Sequence, residues 1–393
     1  MDKGAVFTAT ALSAILGCLL MAFLANYPIA IAPGLGDNAF FTYSVVLAMG
    51  IKWQTALAGV VVASIIFTIL TFFKIREIVI NAIPHNLKLA MAAGIGMFIA
   101  FIGLQGGGLV VASKSSLVQL GSLTVPTTWL TIFGLFVTAL LMARKVPGSI
   151  FIGIVATAIL GLVTGLIKAP SQIVSSIPSM KPTFAVGIKH LGDVNTPQMW
   201  AVVLIFLLVA FFDTAGTLIG LAQQAGLMKN DKMPRIGQAL MADSVSMLAG
   251  SVMGTTPTAA YVESSAGIAV GGRTGFTALV VAVLFGFGMF FSPLLSVVTT
   301  QVTAPALIIV GALMAQSLKE IEWDKFEIAL PAFLTVIAMP LTYNISYGFA
   351  FAFLIYPITM IAAGRKKELN PVVIALFFVF IVMLYVLNVL PSK

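Results

Sequence analysis

Charged residues are scarce in this chain of 393 residues. They make up 9% of the sequence, whereas 60% of it is hydrophobic. Soluble globular proteins carry about 25% charged residues. A membrane-spanning helix needs about 20 predominantly apolar residues, and long apolar runs occupy most of this chain. The composition excludes a soluble globular protein and predicts an all-α polytopic membrane protein.

Sequence signals for enzymatic chemistry are also missing. There is no Gly-rich loop ending in Gly-Lys-Ser or Gly-Lys-Thr, so we do not expect ATP to drive the protein directly. The two histidines, His85 and His190, lie between apolar runs and form no metal motif. The single cysteine, Cys18, can form no intramolecular disulfide. We therefore expect a protein that is not an enzyme and that has no cofactor or metal.

The apolar runs are continuous and do not alternate with a period of two, which excludes a membrane β-barrel. We predict fourteen hydrophobic elements, at residues 4–25, 38–50, 54–73, 87–104, 127–143, 147–166, 199–222, 236–253, 262–272, 274–297, 302–317, 324–342, 346–363 and 370–389. The second and the ninth are too short to cross a bilayer by themselves. Both follow an interrupted segment.

The net charge of +8 raises the question of a nucleic-acid partner. The basic residues lie between the apolar runs and form no patch. If the loop 74–88 is cytoplasmic and the sides then alternate, fourteen of the 21 Lys and Arg residues are cytoplasmic and seven are outside. This bias is the positive-inside rule. We therefore expect the lipid bilayer, and no nucleic acid, as the surroundings of the chain.

Two of the expected spans are interrupted by Pro, Gly and polar residues. They are Asn26–Asn38 (NYPIAIAPGLGDN) and Gly254–Gly267 (GTTPTAAYVESSAG), called here the first and second broken segments. Lipid cannot satisfy loose backbone groups, so such chain must be buried in protein or line a cavity. Interrupted segments in corresponding places of two halves indicate the binding site of a secondary transporter.

A polar interval with four prolines divides the chain into two halves, each with one broken segment. We predict a first repeat at residues 1–167, an extracytoplasmic connecting loop at 168–198, and a second repeat at 199–364. Residues 365–393 are expected to form an additional C-terminal helix. An odd number of elements in each half would give the halves inverted topology.

Three acidic residues, Asp213, Asp243 and Glu263, lie within hydrophobic elements, and Asp37 lies at the end of the first broken segment. A carboxylate at membrane depth costs about 2.5–3.5 kcal/mol on insertion scales, so by default it faces a cavity or a partner. We expect Glu263 and Asp213 to face a ligand. Asp243 suits a structural role equally well, and Asp37 is expected at the membrane interface.

The polar residues in and near the broken segments suit a flat polar heterocycle. Carboxylates accept hydrogen bonds from ring N–H groups, an amide both donates and accepts, and aromatic rings cover the ring face. We expect Phe40, Phe41 and Phe211 to frame this pocket. An anionic substrate fits poorly, because the broken segments contain no Lys or Arg. The predicted substrate-binding residues are Asn38, Phe212, Asp213, Thr214, Thr258, Glu263 and Ser264.

Proton coupling is a further expectation, because ionisable residues at membrane depth commonly form proton relays. The candidates for the coupling group are Glu263 and Asp213. Insensitivity of uptake to a collapsed pH gradient would contradict this hypothesis.

Five motifs occur together, in order, along the whole chain: Ala32–Phe41 (APGLGDNAFF), Ile75–Pro84 (IREIVINAIP), Phe212–Leu218 (FDTAGTL), Tyr261–Gly275 (YVESSAGIAVGGRTG) and Thr303–Leu307 (TAPAL). With these motifs the chain resembles the AzgA-like purine permeases of the nucleobase–cation symporter-2 family. The resemblance implies proton-coupled uptake of hypoxanthine and guanine, or of adenine, across the cytoplasmic membrane.

The resemblance also implies a fold of two inverted seven-helix repeats with a core domain that rocks against a gate domain, usually in a dimer. In such permeases each half-helix follows a short strand. Matched by motif, Asn38, Asp213 and Glu263 are the residues that contact the purine.

The chain departs from the family at its beginning. Family members begin with an additional helix that carries a Tyr-Ile-x-x-Val-Asn-Pro-like sequence, and this chain starts at their second helix. The simplest account is a start codon assigned at an internal methionine, here Met1. Two alternatives stay open from the sequence: an N-terminally truncated paralogue that does not transport, and an anion transporter of the same fold.

Overall fold

The computed structural model describes residues 1–75, 83–170, 172–228, 233–261, 263–269 and 271–388. Most of them are helical. In the first half the helices are α1 (Lys3–Leu20, prolonged by a π-helical turn Met21–Ala25), α2 (Leu35–Ala39, prolonged by a π-helix Phe40–Ala48), α3 (Trp53–Phe72), α4 (His85–Gly106), α5 (Pro126–Ala143) and α6 (Ser149–Val163). Short strands precede α2 and follow α4: β1 (Ile31–Pro33), β2 (Val110–Ser113) and β3 (Leu117–Leu120).

The second half repeats this order of long helices around one broken span. After the four-residue helix α7 (Val186–Lys189), its helices are α8 (Pro197–Gln224), α9 (Ile236–Met253), α10 (Ser264–Ala269), α11 (Gly275–Gly288), α12 (Thr300–Met314), α13 (Phe326–Thr342), α14 (Ile345–Ala362) and α15 (Pro371–Asn388). The strand β4 (Thr258–Ala260) precedes the short helix α10.

These helices confirm the predicted hydrophobic elements to within a few residues. The element predicted at 54–73 is Trp53–Phe72, and the one predicted at 236–253 is Ile236–Met253. Seven helices in the described part of the chain are long and apolar enough to span a membrane. The all-α polytopic architecture expected from composition is therefore the observed one.

The two broken segments meet in a short antiparallel ladder. Strands β1 and β4 form a two-stranded sheet with the register Ile31–Ala260, Ala32–Ala259 and Pro33–Thr258. All six strand residues are buried. A short helix follows each strand, α2 after β1 and α10 after β4. Each half-helix is therefore preceded by a short strand, as the resemblance implied.

Helix α4 packs against three other long helices, α12, α13 and α14. It crosses α12 closely at Gly96 and Gly311. A Cβ added at Gly96 would lie 2.5 Å from the Cβ of Met314. Small residues allow membrane helices to approach this closely, because their backbones then make the van der Waals contacts.

The additional C-terminal helix α15 packs against α14 and α8. Its Phe380 ring stacks on Phe353 of α14, with ring centroids 5.2 Å apart and planes 11° from parallel. Both side chains are fully buried. The helix is therefore part of the packed structure, and the residue limits proposed for the two repeats and for this helix stay predictions.

The connecting segment 168–198 is tied to the helices of both halves. Thr8 of α1 donates a hydrogen bond to the Pro178 carbonyl at 2.9 Å, and the Ala185 N–H donates to the Val252 carbonyl at 2.7 Å. Gly254, with φ +96°, packs closely on Thr183: a Cβ added at Gly254 would lie 2.5 Å from the Thr183 carbonyl oxygen. The segment therefore rests on the start of the second broken segment. The helical turns within it were not expected from its prolines.

Loops that the positive-inside rule assigns to the cytoplasm come together in an ion network. Arg365 bonds Glu327 at 2.7 Å and Glu368 at 2.6 Å, and Lys325 bonds Glu322 at 2.7 Å. The hydrogen bond from Lys325 lowers the pKa of Glu322, and the one from Arg365 lowers the pKa of Glu368. The predicted same-side loops thus converge in space.

The motif Ile75–Pro84 falls largely outside the described residues.

Candidate substrate site between the two broken segments

Backbone hydrogen bonds extend the ladder at both ends and join the broken segments into one unit. The Gly34 N–H donates to the Pro257 carbonyl at 2.9 Å, and the Tyr261 N–H donates to the Ala30 carbonyl at 3.0 Å. These groups lie more than 220 residues apart in sequence. Each segment thereby satisfies polar groups of the other, as a membrane interior requires.

Side chains satisfy backbone groups on the outer edge of β1. In an antiparallel pair, alternate residues point their N–H and C=O groups away from the partner strand, and Ile31 is such a residue. The Cys18 sulfur of α1 lies 3.4 Å from both the Ile31 nitrogen and the Ile31 oxygen, accepting from one and donating to the other. Pro33 has no N–H, and its carbonyl accepts from the Tyr261 hydroxyl at 2.5 Å.

We predict that Cys18→Ala destabilises the protein and reduces transport, because it leaves the Ile31 N–H and C=O without a partner. Orphaned buried groups cost about 1–3 kcal/mol. Cys18→Ser keeps a donor and an acceptor at the same place and should retain most of the stability. Thermal unfolding in detergent, measured alongside uptake, checks both variants. Equal behaviour of the alanine and serine variants would contradict the role of the sulfur.

Asn38 lies on α2, just after the first broken strand. Its side chain is exposed, and its backbone N–H bonds the Gly34 carbonyl at 2.9 Å. The side-chain Oδ1 accepts a hydrogen bond from the Thr256 hydroxyl at 2.5 Å. The two broken segments are thus joined through a predicted site residue as well as through the backbone.

Glu263 and Ser264 lie at the opposite end of the ladder, where β4 turns into α10. Glu263 is exposed, and the Ser264 oxygen accepts a hydrogen bond from the Ala30 N–H at 3.0 Å. Both residues line a cavity of about 260 Å³. This volume is slightly below the roughly 300–1,000 Å³ of pockets for drug-sized ligands, so it suits a small ligand.

The cavity lies against the first broken strand and helix α11. Its lining is mainly apolar, with hydroxyls from Tyr261, Ser264 and Thr277 and the carboxylate of Glu263 as polar groups. The lining residues are Pro28, Ala30, Ala32, Tyr261, Glu263, Ser264, Gly267, Thr277, Ala278, Val281 and Phe285. A mostly apolar wall with a few convergent polar groups is typical of ligand sites. Asn38 does not line this cavity.

Two predicted site threonines are fully buried. Thr258, on β4, donates its hydroxyl to the Asp243 carbonyl at 3.2 Å, which ties the strand to helix α9. Thr214 lies on α8, and its hydroxyl has no hydrogen-bond partner among the described residues. Thr258 therefore stabilises the ladder, whereas Thr214 keeps an unused polar group.

The side chains of Phe212 and Asp213 lie outside the described part of the chain. Their helix, α8, packs against β4 and against both half-helices, α2 and α10. The backbone around residue 213 thus belongs to the same assembly as the broken segments, and the roles of Phe212 and Asp213 stay predictions.

Asp37 is fully buried in the first turn of α2. The helix dipole favours an acidic residue in the first turn of a helix. The expected position of Asp37 at the membrane interface stays a prediction, because burial in protein does not give depth in the membrane. Asp243 is likewise fully buried.

Phe40 and Phe41 pack in the main hydrophobic cluster. The Phe40 ring is fully buried and lies 5.0 Å from the Phe206 ring, centroid to centroid. The centroid of the Phe211 ring lies 6.1 Å from the centroid of the Phe67 ring. In the described structure these rings pack against protein, and Phe40 has no exposed face for a ligand.

Sequence reasoning did not single out Thr256, Tyr261 or Cys18. All three satisfy groups of the first broken segment: Thr256 and Tyr261 from more than 200 residues away in sequence, and Cys18 from α1, 13 residues away. A Thr or Tyr inside a broken segment is a weak signal by itself, because only the strand register shows which backbone group it meets.

The fold and the paired half-helices define an inverted-repeat membrane transporter. The transmembrane domain of a cyanobacterial bicarbonate transporter, BicA, has this fold, with a TM-score of 0.60 at 16% identity over 92% of this chain and 94% of that domain. The anion transporter SLC26A9 shares it with a TM-score of 0.57 at 12% identity, over 91% of this chain and 64% of that one. At these identities the likeness concerns the fold alone.

The model of the Permease family (Xan_ur_permease) matches residues 1–351, and the chain belongs to this family. The guanine/hypoxanthine permease PbuG of Bacillus subtilis is 56% identical over 97% of this chain and 87% of its own length. PbuO of the same organism, also a guanine/hypoxanthine permease, is 48% identical over 97% of this chain and 90% of its own. Adenine permease AdeQ of Escherichia coli is 41% identical over 97% and 85%.

These matches confirm the resemblance to the nucleobase–cation symporter-2 family that the motifs indicated. The protein is a multi-pass transporter of the cell membrane, and its family consists of permeases, not enzymes.

Proposed function

We propose that this protein takes up purine nucleobases, guanine and hypoxanthine in particular, across the cytoplasmic membrane together with protons. The observation that carries the substrate assignment is the identity of 56% and 48% with two guanine/hypoxanthine permeases over 97% of the chain. Relatives at 41% and 40% identity are adenine permeases, so adenine is the second candidate substrate.

The proposed roles follow from where the groups lie. Glu263 accepts hydrogen bonds from ring N–H groups of the purine, and Asn38 orients the ring from the other end of the ladder. Ser264 still has its hydroxyl proton to donate, because its oxygen accepts from the Ala30 N–H. Asp213, Phe212 and Thr214 are proposed to act from α8, the helix that packs against both half-helices.

Proton coupling is proposed for Glu263, with Asp213 as the second candidate. A carboxylate at membrane depth needs a proton, a counter-charge or a polar ligand. The nearest cation in sequence, Arg273, donates instead to the carbonyls of Ile268 and Gly272 at the end of α10. We propose that Glu263 binds a proton when the substrate binds. The proton would neutralise the carboxylate, as a salt bridge otherwise would.

The two alternatives have less support. An anion transporter would need cationic groups, and both broken segments contain none. The solved anion transporters share only the fold, at 12–16% identity. If the chain does not transport, no uptake of any nucleobase is expected.

We further propose that the two repeats, at 1–167 and 199–364, form a core and a gate domain. We also propose that the protein is a homodimer, which cross-linking in native membranes tests.

Uptake of radiolabelled hypoxanthine, guanine, adenine and uracil by a transport-deficient bacterial strain tests the proposal. We expect saturable uptake of hypoxanthine and guanine, little uptake of uracil, and loss of accumulation when a protonophore collapses the pH gradient. Absence of purine uptake at normal membrane expression would refute the transport function. Purine uptake that is indifferent to the gradient would refute proton coupling alone.

A further inference from the structure

The side-chain amide of Asn38 has a defined orientation. An amide presents a carbonyl oxygen, which accepts, and an NH₂ group, which donates two hydrogen bonds. The oxygen is occupied by the Thr256 hydroxyl at 2.5 Å. The NH₂ group has no partner among the described residues, and the Asn38 side chain is exposed. The end of Asn38 that is free for a ligand is therefore the donor end.

The distance supports this orientation. Hydrogen bonds between two oxygens measure about 2.5–3.0 Å, whereas those from nitrogen to oxygen measure about 2.7–3.2 Å. The observed 2.5 Å fits a hydroxyl donating to the amide oxygen. Turning the amide over would also leave the Thr256 proton without an acceptor in the described structure. Thr256 is 7% exposed, and a buried donor without a partner is costly.

The backbone around Thr256 is held on both sides. Thr255 shares a hydrogen bond with the Thr10 hydroxyl of α1 at 3.1 Å, and the Pro257 carbonyl accepts from the Gly34 N–H at 2.9 Å. The residue before a proline is also restricted to extended conformations. The hydroxyl of Thr256 therefore meets Asn38 because the paired broken segments put it there.

We propose that Thr256 is a positioning residue that determines specificity: it holds Asn38 as a donor, so the ligand atom opposite Asn38 must be a hydrogen-bond acceptor. On a purine that atom is an unprotonated ring nitrogen or the 6-oxo oxygen. This inference rests on the proposed purine transport. It concerns which ligand atom the site reads, and it assigns this choice to a residue that does not itself contact the ligand.

Competition against radiolabelled hypoxanthine uptake tests the proposal. The competitors are 3-deazahypoxanthine and 7-deazahypoxanthine, each of which lacks one ring-nitrogen acceptor of hypoxanthine, and purine, which lacks the 6-oxo oxygen and also the N1–H donor. In the wild type we expect one of the three to bind roughly tenfold or more weakly than hypoxanthine, because an N–H of Asn38 loses its acceptor. In Thr256→Val the amide is released, and this disadvantage should shrink severalfold. Thr256→Ser keeps the hydroxyl and should preserve the wild-type profile.

A purely structural role of Thr256 would lower uptake without changing the ratios between competitors. Unchanged ratios in Thr256→Val, or a wild type that binds all three analogues as well as hypoxanthine, would overturn the proposal. If Thr256→Val fails to fold, Asn38→Asp tests the proposal instead, because it replaces the donor with an acceptor. The weaker binding of the analogue relative to hypoxanthine should then disappear. If the analogue still binds more weakly, the proposal is overturned. Absence of wild-type hypoxanthine uptake would instead refute the proposed function, and this inference with it.

Discussion

Glu263→Gln is expected to abolish concentrative purine uptake while leaving the protein in the membrane at its normal level. The side chain is exposed at a small cavity, so an isosteric amide should not disturb packing. The amide cannot carry a negative charge or exchange a proton. Hydrogen bonds to charged groups contribute about 1.5–3 kcal/mol, and a loss of that size lowers binding roughly 10- to 150-fold before any effect on coupling.

The matched control is Glu320→Gln, the same chemical change at the exposed end of a 3-10 helix outside the site, which should leave uptake unchanged. Counterflow separates the two roles of Glu263. Exchange that persists without accumulation assigns Glu263 to proton coupling, and loss of both assigns it to purine binding. Normal accumulation by Glu263→Gln would remove the residue from the mechanism.

Gly311→Ala is expected to have the largest effect on assembly. A Cβ at Gly311 would lie 2.6 Å from the Cβ of Ala100 and would meet the carbonyl oxygen of Gly96. Both obstacles are backbone or Cβ atoms, which cannot rotate away, so α4 and α12 must separate. Overpacking of this kind typically costs about 1–3 kcal/mol. Thermal unfolding in detergent should show a marked loss of stability.

Gly288→Ala is the matched control for this prediction. Gly288 is the last residue of another apolar helix, α11, and no described neighbouring atom lies within 4 Å of a Cβ added there. Its replacement should be neutral or slightly stabilising, because alanine favours helix more than glycine does. If Gly311→Ala unfolds at the same temperature as Gly288→Ala, the close crossing of α4 and α12 does not support the fold.

The sequence predicted the helices well because their cause is local. A run of about 20 apolar residues must be helical in lipid, and Pro or Gly interrupts it at a definite residue. Glu263 and Asn38 stood out for the same reason: a polar group in such a run needs an explanation. Their exposure at opposite ends of one ladder agrees with that reading, although contact with substrate stays a prediction.

Asp37 shows what local reasoning does not provide. It neighbours Asn38 in sequence, yet it is fully buried while Asn38 is exposed. Which side of a helical turn faces protein depends on the elements packed around it, and hydropathy does not report that. The same limit explains why Phe40 was expected to face a ligand but packs against Phe206.

The sequence by itself determined that the chain is a helical membrane protein, where its spans lie and which two are broken. These properties follow from the hydrocarbon solvent, which acts on each segment separately. The tertiary structure alone decided that Ile31 meets Cys18 and that Asn38 meets Thr256. The contact of Ile31 depends on the packing of α1 against β1. The contact of Asn38 depends on a strand register between segments more than 200 residues apart. Together they determine which polar groups remain free for a ligand.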